Sequence, residues 1–209
     1  REEKPGACGC SARLLAARAA LHFGEEPCIS GSEGSGTVFF AGCNLHCVFC
    51  QNHKISRERY GRELTPARLA DIFRELEAKG ANNINLVTPT PWVTEIIKAL
   101  ELYRPKVPVL YNTSGYERVE VLRALEGLID VWLPDYKYAD TELAARFSGA
   151  RDYPEVAKAA IREMYRQSGN LKLNAEGKAV SGVMIRHLVL PLHLKNSFAV
   201  LEEIAEEYG

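Results

Sequence analysis

The sequence predicts an α/β fold in which helices cover a parallel sheet, built as an open sheet or as a full or partial (β/α) barrel. Short, almost continuously apolar segments alternate with segments of helical periodicity, as in parallel sheets that are covered on both faces. The strand-like segments recur every about 20 to 50 residues, which is typical of βα units rather than hairpins. Neither GxGxxG nor GxxxxGK[ST] follows a strand-like segment, so a dinucleotide fold and a P-loop are not indicated.

Five segments have the length and the β-branched or aromatic content of strands. We expect these strands at Thr37–Ala41, Ile84–Val87, Val107–Tyr111, Ile129–Leu133 and Met184–Leu190. Helices are expected where the composition or the apolar spacing is helical. They are Ser11–Leu21, the segment from the N-cap Thr65 to Gly80, Trp92–Tyr103, Glu117–Leu125, Thr141–Phe147, Pro154–Gln167 and Ser197–Glu207.

Composition and charge exclude several classes of protein. The 209 residues, 46% of them hydrophobic and 25% charged, suit one globular domain. A net charge of −1 gives no basic surface for nucleic acid or an anionic membrane. No run approaches the roughly 20 apolar residues of a spanning helix, and no signal peptide opens the chain. We therefore expect a cytoplasmic protein with no membrane or nucleic-acid partner. Because the chain begins at Arg1 and stops after a helical pattern, we also expect a fragment.

Three of the six cysteines follow the first predicted strand, at Cys43, Cys47 and Cys50. Thiolates are soft ligands that select zinc, Cu(I) or iron–sulfur clusters. A structural zinc site is closed by four ligands, whereas this motif supplies three. Three thiolates on a [4Fe–4S] cluster leave one iron without a protein ligand, which is the open position of a reactive site. The alternative is a set of buried or zinc-bound cysteines.

The stretch from Cys43 to Cys50 resembles the CxxxCxΦC motif of the radical S-adenosylmethionine (SAM) superfamily, with Phe49 as the aromatic residue. Within that superfamily the chain is similar to the pyruvate formate-lyase activating enzyme and to a poorly characterised group of activase-like iron–sulfur proteins. The resemblance covers nearly the whole chain. Further matching segments are Leu21–Gly31, Gly34–Thr37, Val87–Pro91, Tyr111–Tyr116, Asp135–Lys137 and Ile185–Pro191.

The resemblance implies a partial (β/α) TIM-like barrel of parallel strands, of whose usual six βα units five are predicted here. Residues 37–209 would form this barrel, and residues 1–36 an N-terminal extension with a short helix and a Gly/Ser-rich turn. Cys43, Cys47 and Cys50 would hold a [4Fe–4S] cluster, and SAM would bind its open iron. An electron donor such as flavodoxin or ferredoxin would drive cleavage of SAM to methionine and a 5′-deoxyadenosyl radical, which abstracts hydrogen. Activation of a glycyl-radical enzyme, a protein substrate, is one implied role.

The resemblance also assigns cofactor contacts at the predicted strand ends. They are Phe49, Thr88, Asn112, Thr113, Asp135, Lys137 and His187. Asp135 and Lys137 match a pair that holds a monovalent cation and the SAM carboxylate. Two positions depart from the pattern: Thr88–Pro91 replaces a Gly-Gly-Glu segment, and Asn112 replaces an acid, which weakens the case for the cation.

The fifth predicted strand carries two candidate side chains, Arg186 and His187. Strand alternation allows only one of these neighbours to face the barrel interior. His187 is the expected one, with His193 as a further candidate.

The remaining cysteines leave a second hypothesis of function open. Cys8 and Cys10 belong to an incomplete pattern for an auxiliary metal site, and Cys28 is a candidate fourth ligand. A fourth protein ligand would leave SAM no iron to bind. The chain would then be a non-enzymatic iron–sulfur or zinc protein that transfers electrons or stabilises structure.

Overall fold

The computed structural model describes residues 9–10 and 13–209. The strands are Leu15–His22 (β1), Ser35–Phe40 (β2), Arg62–Glu63 (β3), Ile84–Val87 (β4), Val109–Thr113 (β5), Val131–Pro134 (β6), Lys172–Leu173 (β7) and Ala179–Val183 (β8). The helices are Pro27–Ser30 (α1), His53–Ser56 (α2), Pro66–Ala78 (α3), Val93–Leu102 (α4), Val119–Arg123 (α5), Thr141–Ser148 (α6), Tyr153–Ser168 (α7) and Leu194–Tyr208 (α8).

Within the described residues, the strands form one eight-stranded sheet in the order β3-β1-β2-β4-β5-β6-β8-β7. The central strands β2, β4, β5, β6 and β8 run parallel. This confirms the predicted α/β class and the count of five parallel strands, in an arrangement consistent with a partial (β/α) barrel. Val87 pairs with Asn112, and Asn112 pairs with Leu133. The residues that follow the parallel strands therefore meet at one edge of the sheet.

The six helices predicted after residue 64 are confirmed, with the largest shift at the start of α8, which begins at Leu194 rather than Ser197. The cap of α3 shows why its start was predictable. The hydroxyl of Thr65 accepts a hydrogen bond from the backbone N–H of Arg68 at 3.1 Å, ahead of a proline in the first turn. None of the helices that the structure describes has the length and apolar character needed to span a bilayer.

The predicted helix over Ser11–Leu21 is wrong, because the described part of this segment forms β1 instead. The Ala- and Leu-rich composition favours a helix. However, β1 pairs antiparallel with β2 on one side and with β3 on the other, and this tertiary pairing outweighs local propensity. Residues 15–22 thus belong to the sheet, while the domain division at residue 37 stays a prediction.

The fifth parallel strand is also misplaced in the prediction. It covers Ala179–Val183, not Met184–Leu190. Beyond β8, Arg186 alone forms an isolated bridge with Asp135, next to the end of β6. The start of the apolar run nevertheless stays beside β6, because the backbone N–H groups of Met184 and Arg186 donate to the Trp132 and Pro134 carbonyl groups, both at 2.9 Å.

Packing on the two faces of the sheet follows strand alternation. In β5, Val109 and Tyr111 belong to the core beneath the helices, whereas Leu110 belongs to a separate cluster with Ile29 of α1. A third cluster includes Leu45 of the cysteine loop and Ala144, Ala157 and Val200, which lie on α6, α7 and α8. The cysteine loop therefore rests on a helical platform that the last third of the chain provides.

Candidate active site

The cysteine loop leaves the C-terminal end of β2 and is fixed to the end of α6. The backbone N–H groups of His46 and Val48 donate to carbonyl groups of Ser148 and Phe147, at 3.0 and 2.8 Å. Leu45 anchors the loop in the core and is only 3% exposed. Because the loop has backbone partners outside itself, the motif cysteines are held in place by the surrounding fold.

Each motif sulfur has a polar neighbour. The Leu45 backbone N–H donates to Cys43 Sγ at 3.4 Å, and the Ser148 hydroxyl donates to Cys47 Sγ at 3.0 Å. Cys50 Sγ lies 3.4 Å from a serine hydroxyl of α2. Hydrogen bonds to sulfur stabilise the thiolate form and tune the potential of a bound iron–sulfur cluster. The surroundings therefore fit cysteines that act as thiolate ligands.

Two of the motif thiols, Cys43 and Cys47, have raised pKa values in the absence of a metal. Burial, together with the nearby Cys47 and Cys50, raises the pKa of Cys43 to about 11, although the Leu45 N–H and Lys137 act to lower it. Burial also raises the pKa of Cys47, against the effect of the Ser148 hydrogen bond and Lys137. The electrostatic influence of these cysteines on one another indicates that the thiols face a common region. Ligation of a metal group here would release protons.

In the part of the chain that is described, no three His, Cys, Asp or Glu side chains are grouped to hold one metal ion.

The carboxylate of Asp135, directly after β6, lies between two cationic side chains. The Lys137 ammonium pairs with one carboxylate oxygen, and the Arg186 guanidinium lies 3.1 Å from the other. Arg186 also donates to Asn112 Oδ1 at 2.6 Å. The fold thus brings together three of the predicted site residues, Asp135, Lys137 and Asn112, through Arg186.

Arg186 and His187 point in opposite directions, as strand alternation predicts. The side chain that contacts Asp135 is that of Arg186 rather than that of the expected His187. His187 Nδ1 lies 2.7 Å from the Tyr136 carbonyl oxygen, and Nε2 lies 2.8 Å from the Ser197 hydroxyl. Both ring nitrogens therefore have partners, one in the segment after β6 and one on α8. The contact of His187 with SAM stays a prediction.

The N-terminal segment reaches the same site through Arg186. Its guanidinium lies 3.5 Å from Glu25 and 3.7 Å from Glu26. Burial raises the pKa of Glu25, and Arg186 lowers it. These two acids were not predicted as site residues, because their approach depends on the path of the chain between β1 and β2.

The turn after β4 is strained at Thr88. Its φ of +56° places a β-branched residue in the left-handed region, which costs about 1–3 kcal/mol. Its backbone N–H donates to the Asn112 carbonyl at 2.9 Å, so the turn is fastened to the neighbouring strand. Strain of this kind concentrates at functional sites, and Thr88 is a predicted cofactor contact.

Two other predicted contacts, Phe49 and Thr113, lie beside this edge of the sheet. Phe49 is half-buried against the helical platform. Thr113, at the end of β5, is buried and donates its hydroxyl to the Glu117 carboxylate at 2.5 Å. Thr113 thus points toward the helices rather than toward the Asp135 side chain.

A buried tyrosine joins two of the strand-end segments. The Tyr153 hydroxyl lies 2.8 Å from the carbonyl oxygens of Ser114 and Asp135, and it accepts from the Lys137 backbone N–H at 3.0 Å. Tyr153 belongs to α7, and no motif in the sequence marks it. It sets the spacing between the turn after β5 and the segment that carries Asp135 and Lys137.

The cysteines outside the motif lie elsewhere. Cys28 packs against the cluster that contains Ile29 and Leu110, whereas Cys43 and Cys47 pack against the helical platform. Cys10 is buried in the core beneath the helices. Cys8 lies outside the described residues, so the auxiliary metal site stays a prediction.

Comparison with known proteins agrees with this geometry. Residues 37–173 match the model of the radical SAM superfamily, and the chain belongs to that superfamily. Its members generally use a [4Fe–4S] cluster and SAM, and membership suggests an enzyme. The chain is similar to an uncharacterized protein of Methanocaldococcus jannaschii, MJ0674, with 33% identity over 183 residues. This alignment covers 83% of the chain and 49% of the relative, so the chain spans about half the relative's length.

Proposed function

We propose that this chain is a radical SAM enzyme that binds a [4Fe–4S] cluster through Cys43, Cys47 and Cys50 and cleaves SAM reductively. The observation that carries the proposal is the juxtaposition of the three-cysteine loop with the Asp135–Lys137 segment, whose lysine lowers the pKa of Cys43 and Cys47. When bound, the cluster would supply the single electron that breaks a sulfur–carbon bond of SAM, which would give methionine and a 5′-deoxyadenosyl radical able to abstract hydrogen from a substrate.

The strand-end residues would bind and orient the SAM amino-acid group. Lys137 and Arg186 present two positive charges around one carboxylate, Asp135. A guanidinium and an ammonium are suited to a ligand carboxylate, and Asp135 holds both in place. The strained turn at Thr88 lies at the same edge of the sheet, fastened to Asn112.

The location of Cys28 supports an open iron rather than a closed, four-cysteine cluster. Cys28 packs with Ile29, Leu110 and Val131 on the inner face of the sheet. Cys43 and Cys47 pack on the helical platform instead. Cys28 therefore lacks the position expected of a fourth ligand, which favours the enzyme over the electron-transfer alternative.

The proposed partners follow from the chemistry. The electron comes from a flavodoxin- or ferredoxin-type donor, because cleavage of SAM consumes one electron that the protein does not hold. The proposed substrate is a protein, with activation of a glycyl-radical enzyme as the role that the family resemblance favours. A monovalent cation beside Asp135 is less favoured, because Arg186 already bridges Asp135 and Asn112.

Anaerobic reconstitution with iron and sulfide, followed by addition of SAM and dithionite, tests the proposal. Wild-type protein should turn brown and release 5′-deoxyadenosine. Cys47→Ala should lose both properties, because two thiolates do not retain the cluster. Cys28→Ala is the matched control and should keep both. Release of 5′-deoxyadenosine by Cys47→Ala at the wild-type rate would reject the assignment, and so would a colourless wild type.

A further inference from the structure

A buried carboxyl group, Glu117, lies behind the strand ends that form the proposed SAM site. It follows the turn after β5 and is 3% exposed. Its Oε1 accepts from the hydroxyls of Thr90 and Thr113, both at 2.5 Å, and from the Tyr111 hydroxyl at 3.3 Å. One carboxylate oxygen thus collects three hydroxyl donors from the turn after β4 and from β5.

The contacts of Glu117 extend to the other segments of the site through its neighbours. The side-chain amide of Asn44, next to Cys43, donates to the Tyr116 carbonyl at 2.7 Å. Gly115 packs directly against the Asp135 carbonyl. The cysteine loop, the Thr88–Thr90 turn and the segment at Asp135 therefore converge on the turn that ends at Glu117.

The chemistry of Glu117 differs from that of a surface acid. Burial raises its pKa to about 7, although the three hydroxyls lower it. Its second oxygen, Oε2, is buried and has no hydrogen-bond partner among the described residues. Tyr111 is the titratable side chain that faces it, and the causes of the shift include no charged group. Hydrogen bonds to a charged carboxylate are roughly twice as strong as bonds to a neutral acid.

We propose that Glu117 is a positioning residue for the SAM site. Its charged carboxylate holds the turn after β4 and the end of β5 together through hydrogen bonds, and these bonds weaken when the carboxylate is protonated. This inference rests on the proposed function. Glu117 does not contact SAM; it acts through Thr90 and Thr113. SAM binding should favour the charged form, so the affinity for SAM should fall as the pH falls through about 7.

The test measures the SAM dissociation constant of the reconstituted protein by equilibrium dialysis between pH 6 and 8.5. In wild type we expect binding at pH 6 to be roughly tenfold weaker than at pH 8. Glu117→Gln should remove most of this pH dependence, because the glutamine cannot titrate. Glu120→Gln changes an exposed carboxylate on α5 and serves as the matched control with the wild-type profile.

A second variant keeps the carboxyl group and moves its titration. Thr90→Val removes one hydrogen bond that stabilises the charge, so the midpoint of the pH profile should shift to higher pH. Infrared titration of the metal-free protein gives an independent readout. A protonated-carboxyl band should titrate near pH 7, shift upward in Thr90→Val and be absent in Glu117→Gln.

The results distinguish a failure of the proposed function from a failure of the role of Glu117. A wild type that binds no SAM at any pH would contradict the proposed function, and this inference with it. SAM binding with the same pH dependence in wild type and Glu117→Gln would overturn the role of Glu117 alone. So would a midpoint that Thr90→Val leaves unchanged.

Discussion

Replacing Gly115 by alanine should displace the residues of the strand-end site, because the added methyl group would clash with the backbone at Asp135. Gly115 has a φ of +79°, and a Cβ built on it would lie 2.2 Å from the Asp135 carbonyl oxygen. The clash is with backbone, so no side chain can move aside to relieve it. Either the turn after β5 or the segment that carries Asp135 must shift.

Gly127 offers a matched control elsewhere in the chain. Its φ is +77°, but a Cβ at this position would lie more than 4 Å from every described residue other than its chain neighbours. Both alanine variants incur the left-handed strain of about 1–2 kcal/mol, and both lose the same entropy of the unfolded chain. Gly115→Ala alone adds the backbone displacement, which costs about 1–3 kcal/mol. The difference between the variants isolates the close approach.

Urea unfolding of the two variants measures this difference directly. With a slope of about 3 kcal/mol/M, an extra 2 kcal/mol lowers the midpoint of Gly115→Ala by roughly 0.7 M below that of Gly127→Ala. SAM affinity should fall in Gly115→Ala and stay at the wild-type value in Gly127→Ala. Equal midpoints for the two variants would refute the close packing of the turn against Asp135.

Two further changes test the same edge of the sheet. Tyr153→Phe removes the hydroxyl that accepts from the Lys137 backbone N–H and should lower the free energy of unfolding by about 1–3 kcal/mol. The control Tyr165→Phe removes an exposed hydroxyl contact and should lower it by less than about 0.5 kcal/mol. Similar losses in the two variants would exclude the proposed spacing role of Tyr153. Asp135→Ala should weaken SAM binding while the cluster absorbance persists, compared with the exposed Asp71→Ala, and an unchanged affinity would remove Asp135 from the site.

The parallel core was predictable because each of its elements carries a strong local pattern. Ile84–Val87 is a buried strand at the predicted bounds, and Thr65 caps α3 as expected. The edge of the sheet was not predictable. The segment of β1 has the composition of a helix, and only its pairing with β2 and β3 makes it a strand.

The site divides in the same way. Asp135 and Lys137 lie two residues apart, so the sequence already places them together. Arg186 lies 51 residues from Asp135 along the chain. Its orientation could not be predicted, because the apolar run at Met184–Leu190 led to the wrong position for the fifth parallel strand. Tyr153 carries no motif at all, because its role is to fill space and accept a backbone N–H. Glu117 was only four residues from the predicted contact Thr113, and an acid so close to a strand end was the available signal.

In the proposed function, Cys43, Cys47 and Cys50 hold a cluster with one iron open to SAM. Electron–nuclear double resonance on the reduced, reconstituted protein tests this arrangement with SAM labelled with ¹⁷O in the carboxylate and ¹⁵N in the amine. If SAM binds the open iron, both labels should show hyperfine couplings to the cluster spin. A cluster signal that SAM leaves unchanged, with no coupling to either label, would contradict it.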